Sequence, residues 1–257
     1  MYLECTKKKK KMLEILVSHL EQQSFVSKAI LTFSLIVLTY LIHGSLYLIL
    51  DVWHYPEWLY KYKIQRKVEF DSTKIPLILR NLAVNFILVI FPSSFIFHGV
   101  AQANGNHLFK GDIPSPLRMV IEIAIMVFME EVFFYYGHRL LHIPFLYKNV
   151  HKVHHIFKSP IALTTGFCHP VEMIISNVLP LVLCPLIVQC HIVTSWTWFV
   201  LALIASQSHH CGYDFPIFVD HNPNFHDLHH ESFTYNYGLL GYLDQFHNTY
   251  KESVKCS

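Results

Sequence analysis

A chain of 257 residues with 53% hydrophobic and only 15% charged side chains is too apolar for an ordinary soluble domain, in which about a quarter of residues are charged. Its formal net charge of +2 gives no electrostatic footprint for nucleic acid, so no such partner is expected. The outlying figure is 19 histidines, 14 of them after residue 137.

Residues 1–27 read as a basic N-terminal segment. Its Lys7–Lys11 run is followed by neither a signal-peptide core nor a cleavage site. That run reads as a solvated end, with contact to anionic lipid as the alternative. Residues 28–52 are almost free of charge and long enough to cross a bilayer. A basic loop with Lys61, Lys63, Arg66, Lys67 and Lys74 leads to a second apolar segment, 76–100, which contains Arg80. Residues 28–118 thus form one region of two spans and their loops.

A third segment, from 119, contains Glu122, Glu130 and Glu131 and runs straight into histidines. No charged residue lies between Glu172 and Asp214. That stretch, interrupted by Pro180 and Pro185, reads as a helical hairpin of two spans. Trp196 and Trp198 in it are interfacial anchors or ordinary packing residues. The expected fold is all-α: a polytopic membrane bundle of four or five apolar segments, with a histidine-rich cap.

Charge placement leaves one conflict. Cytosolic loops are enriched in Lys and Arg, which would put Lys7–Lys11 and the 61–74 block on one side. A single crossing between them forbids that, so either the first segment is re-entrant or one block is misplaced. The second block is the better guide, because it lets the third span deliver its histidines to the same side. The side of the N-terminus stays open. The six cysteines (Cys5, Cys168, Cys184, Cys190, Cys211, Cys256) form no C-x-x-C pair and read as free thiols in a reducing compartment.

Three stretches concentrate imidazole: "HRLLH" (138–142), "HKVHH" (151–155) and "HDLHH" (226–230). On a helix, positions i, i+3 and i+4 share a face, so His138 with His142, His151 with His154 and His155, and His226 with His229 and His230 can each point at one centre. One metal rarely takes more than six ligands, so eight imidazoles argue for two metals close together. Imidazole suits iron, copper, nickel and zinc alike, so ligand type does not name the metal.

In order and spacing these boxes resemble the fatty acid hydroxylase/sterol desaturase superfamily of membrane non-haem di-iron enzymes. "KYKIQ" (61–65), "HPVE" (169–172) and "HCGYDFP" (210–216) are similar to its C4-methylsterol oxidase branch. The resemblance covers roughly residues 57–250; it makes 119–250 the catalytic region and leaves 251–257 as a tail. It implies two irons in an all-histidine shell at the cytosolic face of the endoplasmic reticulum. It implies molecular oxygen as oxidant, with electrons from NAD(P)H through cytochrome b5 or a reductase. The eight box histidines carry over as iron ligands. His210, preceded by His209, is the next candidate and His169 a weaker one. His221 and His247, flanking the last box, read equally well as surface histidines.

Glu131 lies on the stripe of His138 and His142 but about 10 Å along the axis. It reads as a proton-relay group near the metals or as the partner of Arg80 or another cation. Asp227 would fix the tautomer of a ligand imidazole or cap its helix. Tyr135, Tyr136 and Tyr213 read as packing residues. The expected substrate is a lipid, by resemblance the C4-methyl group of a sterol, with a fatty acyl chain, a sphingolipid or a sterol side chain as alternatives. A zinc-binding, non-enzymatic membrane protein would use the same histidines, and a lipid-binding scaffold with vestigial boxes ranks last.

Overall fold

The computed structural model describes residues 2–106, 108–216 and 223–252, with side chains from residue 11 onward. His221, Cys5, Cys256 and the side chains of Lys7–Lys10 lie outside the described residues. The described chain is nearly all helix, 73%, with no strand.

Helix α1 (Tyr2–Glu21) precedes α2 (Phe25–Trp53), and Ser24 starts α2 by accepting the Ser27 N–H at 3.1 Å. A turn of helix, α3 (Glu57–Tyr60), leads through the basic loop to α4 (Ile75–Asn85), a π-helical stretch (Phe86–Ile90) and α5 (Phe91–Ala103). The third segment is α6 (Pro116–Leu141), set by the Ser115 cap and by Pro116, whose missing N–H costs nothing in a first turn. Short α7 (Pro144–Asn149) and α8 (Pro170–Glu172) bracket the second histidine box; a π-helical stretch (Met173–Val178), α9 (Leu179–Val188) and α10 (Ile192–His209) follow. Helix α11 (Pro223–Ser232) carries the last box, and α12 (Tyr242–Phe246) closes the fold.

Five rods pack antiparallel. Thr32 near the start of α2 meets His98 at the end of α5 and Trp196 at the start of α10, both at 2.9 Å. Midway, Tyr40 bonds the Leu163 carbonyl, and at the far end Asp51 pairs with Lys63. Helices α2, α6 and α10 therefore run toward the histidines, and α4–α5 and α8–α9 run away from them. Three rods, Phe25–Trp53, Ser72–Ala103 and Pro170–Val188, are long and apolar enough to cross a membrane. Helix α6 carries too many charges to meet that standard, and α10, with Ser206, Gln207, Ser208 and His209 in its last turn, is not apolar enough.

Several expectations change. The first segment is one continuous helix of 29 residues, so it is not re-entrant. The uncharged hairpin turns not at its prolines but at Gln189, in the left-handed region at φ 57°. Pro180 and Pro185 both lie inside the continuous rod Pro170–Val188, Pro180 directly after its π-helical stretch. Cys168, Cys184, Cys190 and Cys211 are buried free thiols, as expected.

The basic loop is tied to the histidine end. Lys63 pairs with Asp51, which also accepts the Tyr213 hydroxyl at 2.9 Å, and all three are buried. Gly212 is held at φ +71°, and a Cβ there would lie 3.0 Å from the Pro160 carbonyl and 3.1 Å from Lys63 Nζ. Only glycine suits that position.

Candidate metal centre

The boxes reach the site from different local structures. His138 and His142 end α6, and His226, His229 and His230 lie in α11. The second box was read as an α-helical stripe; it is instead a 3-10 helix, His151–Ile156. Even so, its three rings converge with the others.

Two groups result. His138, His142, His151, His155 and His229 form one, and His154, His210, His226 and His230 the other; within each group the ligand atoms lie within 4.8 Å of one another. All eight box histidines are thus brought together, and His210 joins the second group. Each "HxxHH" box is split between the groups.

Nitrogen spacing is informative. His151 Nε2 lies 3.1 Å from His138 Nε2, 3.0 Å from His142 Nε2 and 3.0 Å from His155 Nε2. His142 Nε2 is 3.2 Å from His229 Nε2. In the second group, His210 Nε2 stands 3.2 Å from His154 Nε2 and 2.8 Å from His226 Nε2, which is 3.0 Å from His230 Nε2. A ring nitrogen has one hydrogen or one lone pair, so three imidazole neighbours around His151 Nε2 cannot all be hydrogen-bonded. A cation shared among them satisfies all four. Ligands about 2.0–2.1 Å from a metal and at right angles stand about 2.9 Å apart, whereas tetrahedral ligands stand about 3.4 Å apart. The observed edges fit right-angle coordination.

The outward nitrogens are oriented by oxygen. His138 Nδ1 is 2.7 Å from the Tyr237 carbonyl, His229 Nδ1 2.6 Å from that of Tyr235, and His210 Nδ1 3.0 Å from that of Ser206. Each places its proton on Nδ1 and turns a bare Nε2 inward. His151 Nδ1 lies 2.9 Å from Glu172 Oε2, in an alignment too poor for a hydrogen bond, and Glu172 is buried. Burial holds His154 down to about 4. Burial first, then the neighbouring imidazoles, keep His151, His226, His229 and His230 well below the ordinary value. The donors are therefore neutral at physiological pH, as metal ligation requires.

The remaining candidates do other work. Glu131 neither approaches the rings nor pairs with Arg80. Its carboxylate accepts the backbone N–H groups of Leu239 at 2.8 Å and Leu240 at 2.7 Å, fastening the last loop to α6. Asp227 is in the middle of α11, so it caps nothing; Gln65 of "KYKIQ" donates to it at 2.7 Å, and burial pushes it up to about 6. His169 stays outside both groups, with Nδ1 accepting the Val171 N–H at 3.2 Å as the cap of α8. His247 stacks on Tyr135 and bonds the Tyr136 hydroxyl at 3.0 Å. Sequence reasoning missed the role of Glu172, although "HPVE" was in view. An acidic residue in an otherwise uncharged stretch was the available signal.

Beneath the histidines lies a mainly apolar chamber between the rods, lined by Phe134, Met173 and Leu181 among others, with His209 and Gly166 at its upper end. Phe134 stands 5.1 Å from the His138 ring.

Residues 123–249 match the fatty acid hydroxylase family, and the chain belongs to it. Fatty acid hydroxylase domain-containing protein 2 of Macaca fascicularis is 36% identical over 208 residues, covering 80% of this chain and 62% of that protein. Fatty acid hydroxylase ahd1 of Mycosarcoma maydis is 31% identical, covering 80% and 54%. A putative methylsterol monooxygenase of Dictyostelium discoideum is 35% identical, covering 74% and 73%. The chain thus spans less than two thirds of the first two relatives. No solved structure matches it significantly.

Proposed function

We propose that the chain is a membrane-bound non-haem di-iron oxygenase that hydroxylates a lipid, with the C4-methyl group of a sterol as the leading substrate. One observation carries the reading: two buried groups of neutral imidazoles, spaced for right-angle ligation, stand over an apolar chamber. His138, His142, His151, His155 and His229 would hold one iron, and His154, His210, His226 and His230 the other. When bound, the pair supplies the oxidising chemistry that side chains lack for an unactivated C–H bond. The chain's own part is to place the carbon and exclude water. Phe134 and Met173 wall the chamber beside the rings. The chamber is narrow, with a cavity volume of about 70 Å3. A lipid entering it must displace side chains, and the flexible Met173 is suited to yield.

The observed nitrogen edges favour this reading over a tetrahedral zinc site. Electrons would come from NAD(P)H through cytochrome b5 or a reductase, and the histidine end would face the cytosol from the endoplasmic reticulum. One relative is named a fatty acid hydroxylase and another a methylsterol monooxygenase, which supports both substrate classes. The test is iron content together with oxygen-dependent turnover of purified, reconstituted protein given a 4-methylsterol and a fatty acid. Two irons per chain and a 4-hydroxymethyl product are expected. Stable zinc with no turnover after iron loading would reject the oxygenase, and turnover of the fatty acid alone would reject the sterol.

A further inference from the structure

The chamber beneath the rings contains polar side chains that hold no histidine in place. Ser176 is 6% exposed, lines the chamber, and its Oγ has no hydrogen-bond partner. Asn177 beside it and Glu130 on α6 line the same chamber, and neither makes a hydrogen bond among the described residues. Polar groups in apolar surroundings are costly when unpaired, and an acidic group at membrane depth marks a functional contact. Three in one chamber form a recognition surface rather than packing.

Local structure brings Ser176 close to the candidate metal centre. Ser176 and Asn177 lie in the π-helical stretch Met173–Val178, a form frequent at functional sites. That stretch approaches α6 at Gly137, where a Cβ would lie 3.5 Å from the Ile175 carbonyl and 3.9 Å from Ser176 Oγ. Gly137 directly precedes His138, so Ser176 stands at the level of the rings. Glu130 lies eight residues earlier, about 12 Å down the helix axis.

The chemistry of the surface restricts the ligand. No lysine or arginine lines the chamber. A carboxylate or phosphate there would have no permanent counter-charge. A hydroxyl donates and accepts, so it can satisfy Ser176 and Asn177 together. We propose that Ser176 and Asn177 grip the hydroxyl of a neutral lipid alcohol beside the carbon to be oxidised. This rests on the chamber being the lipid side of the oxygenase proposed above.

The test is equilibrium binding to the full chain in lipid nanodiscs. The probes are cholestanol, its 3-deoxy counterpart cholestane, and octadecanoate. Cholestanol has no 4-methyl group, so its binding is separate from turnover. Cholestanol should bind at least about ten-fold tighter than cholestane, the difference expected for a well-paired buried hydroxyl. Ser176→Ala with Asn177→Ala should shrink that ratio to within about two-fold, and Ser176→Thr should keep it. Glu130→Gln should leave the alcohol preference intact. A ratio of affinities within one preparation does not depend on how much of a variant has folded. Equal binding of the two sterol probes, a preference that survives the double substitution, or tighter binding of octadecanoate than cholestanol would overturn the proposal. Alcohol preference without turnover in iron-loaded protein would keep the hydroxyl site and remove the oxygenase. Fatty acid turnover with no alcohol preference would do the reverse.

Discussion

Glu172 touches His151 without being a candidate ligand. Its carboxylate lies 2.9 Å from the outward nitrogen of a ring whose inward nitrogen has three imidazole neighbours. A carboxylate this close limits how the ring can turn, and losing an outer partner of a metal ligand weakens metal affinity about 10–100-fold. Glu172→Gln should therefore lower iron affinity by that order in a metal titration of purified protein; unchanged affinity would reduce the contact to packing. His169, three residues earlier, gives the contrast. It caps α8, so His169→Ala should cost about 1 kcal/mol of stability and leave iron content unchanged, which thermal unfolding and metal analysis would show. The three boxes were legible because i, i+3 and i+4 spacing is a local signal. His210 was legible only by resemblance, since its partners His154 and His226 lie 56 and 16 residues away. Glu172 and Glu131 were misjudged for the same reason: what a buried carboxylate touches is set by tertiary approach.

The loop after α11 is an element held at both ends. Its Tyr235 and Tyr237 carbonyls orient His229 and His138, and Asp244 accepts the N–H groups of Tyr237 at 2.8 Å and Gly238 at 2.7 Å. Glu131 binds the following N–H groups from α6. Glu131→Ala would leave two partly buried donors unpaired, a cost of up to about 1 kcal/mol each. The loop should then open, which limited proteolysis within residues 233–243 would detect, and iron content should fall with it. Faster cleavage without iron loss would separate the latch from the metal centre. None of this was visible in periodicity, because the loop's bonds use backbone atoms. The π-helical stretches were equally invisible, as each differs from its neighbours by one shifted hydrogen bond. That the chain is built from several apolar rods was legible, and their number approximately so, since length and missing charge are properties of each segment alone.

At the scale of the whole molecule, the continuity of α2 decides the conflict in charge placement. Its 29 residues span about 43 Å at 1.5 Å per residue, more than the hydrocarbon core. Lys28 at one end reaches the Glu21 carbonyl, whereas Asp51 near the other pairs with Lys63 beside the histidine end. Lys11 and Lys67 therefore belong to opposite sides, and one basic block must face away from the cytosol. The block at 61–74 shares its side with Lys148, Lys152 and Lys158, which flank or lie within the second box. Positive-inside logic then predicts the histidine end in the cytosol and α1 on the other side. Single cysteines at Lys11→Cys and Lys67→Cys, with Cys5 and Cys256 changed to Ser, test this directly. The four remaining thiols are buried and should give little background. In sealed endoplasmic reticulum vesicles, an impermeant maleimide should label position 67 at once and position 11 only after permeabilisation. Labelling of both before permeabilisation would mean that α2 lies along the membrane rather than across it, and the antiparallel order of the rods around the chamber would lose its membrane meaning.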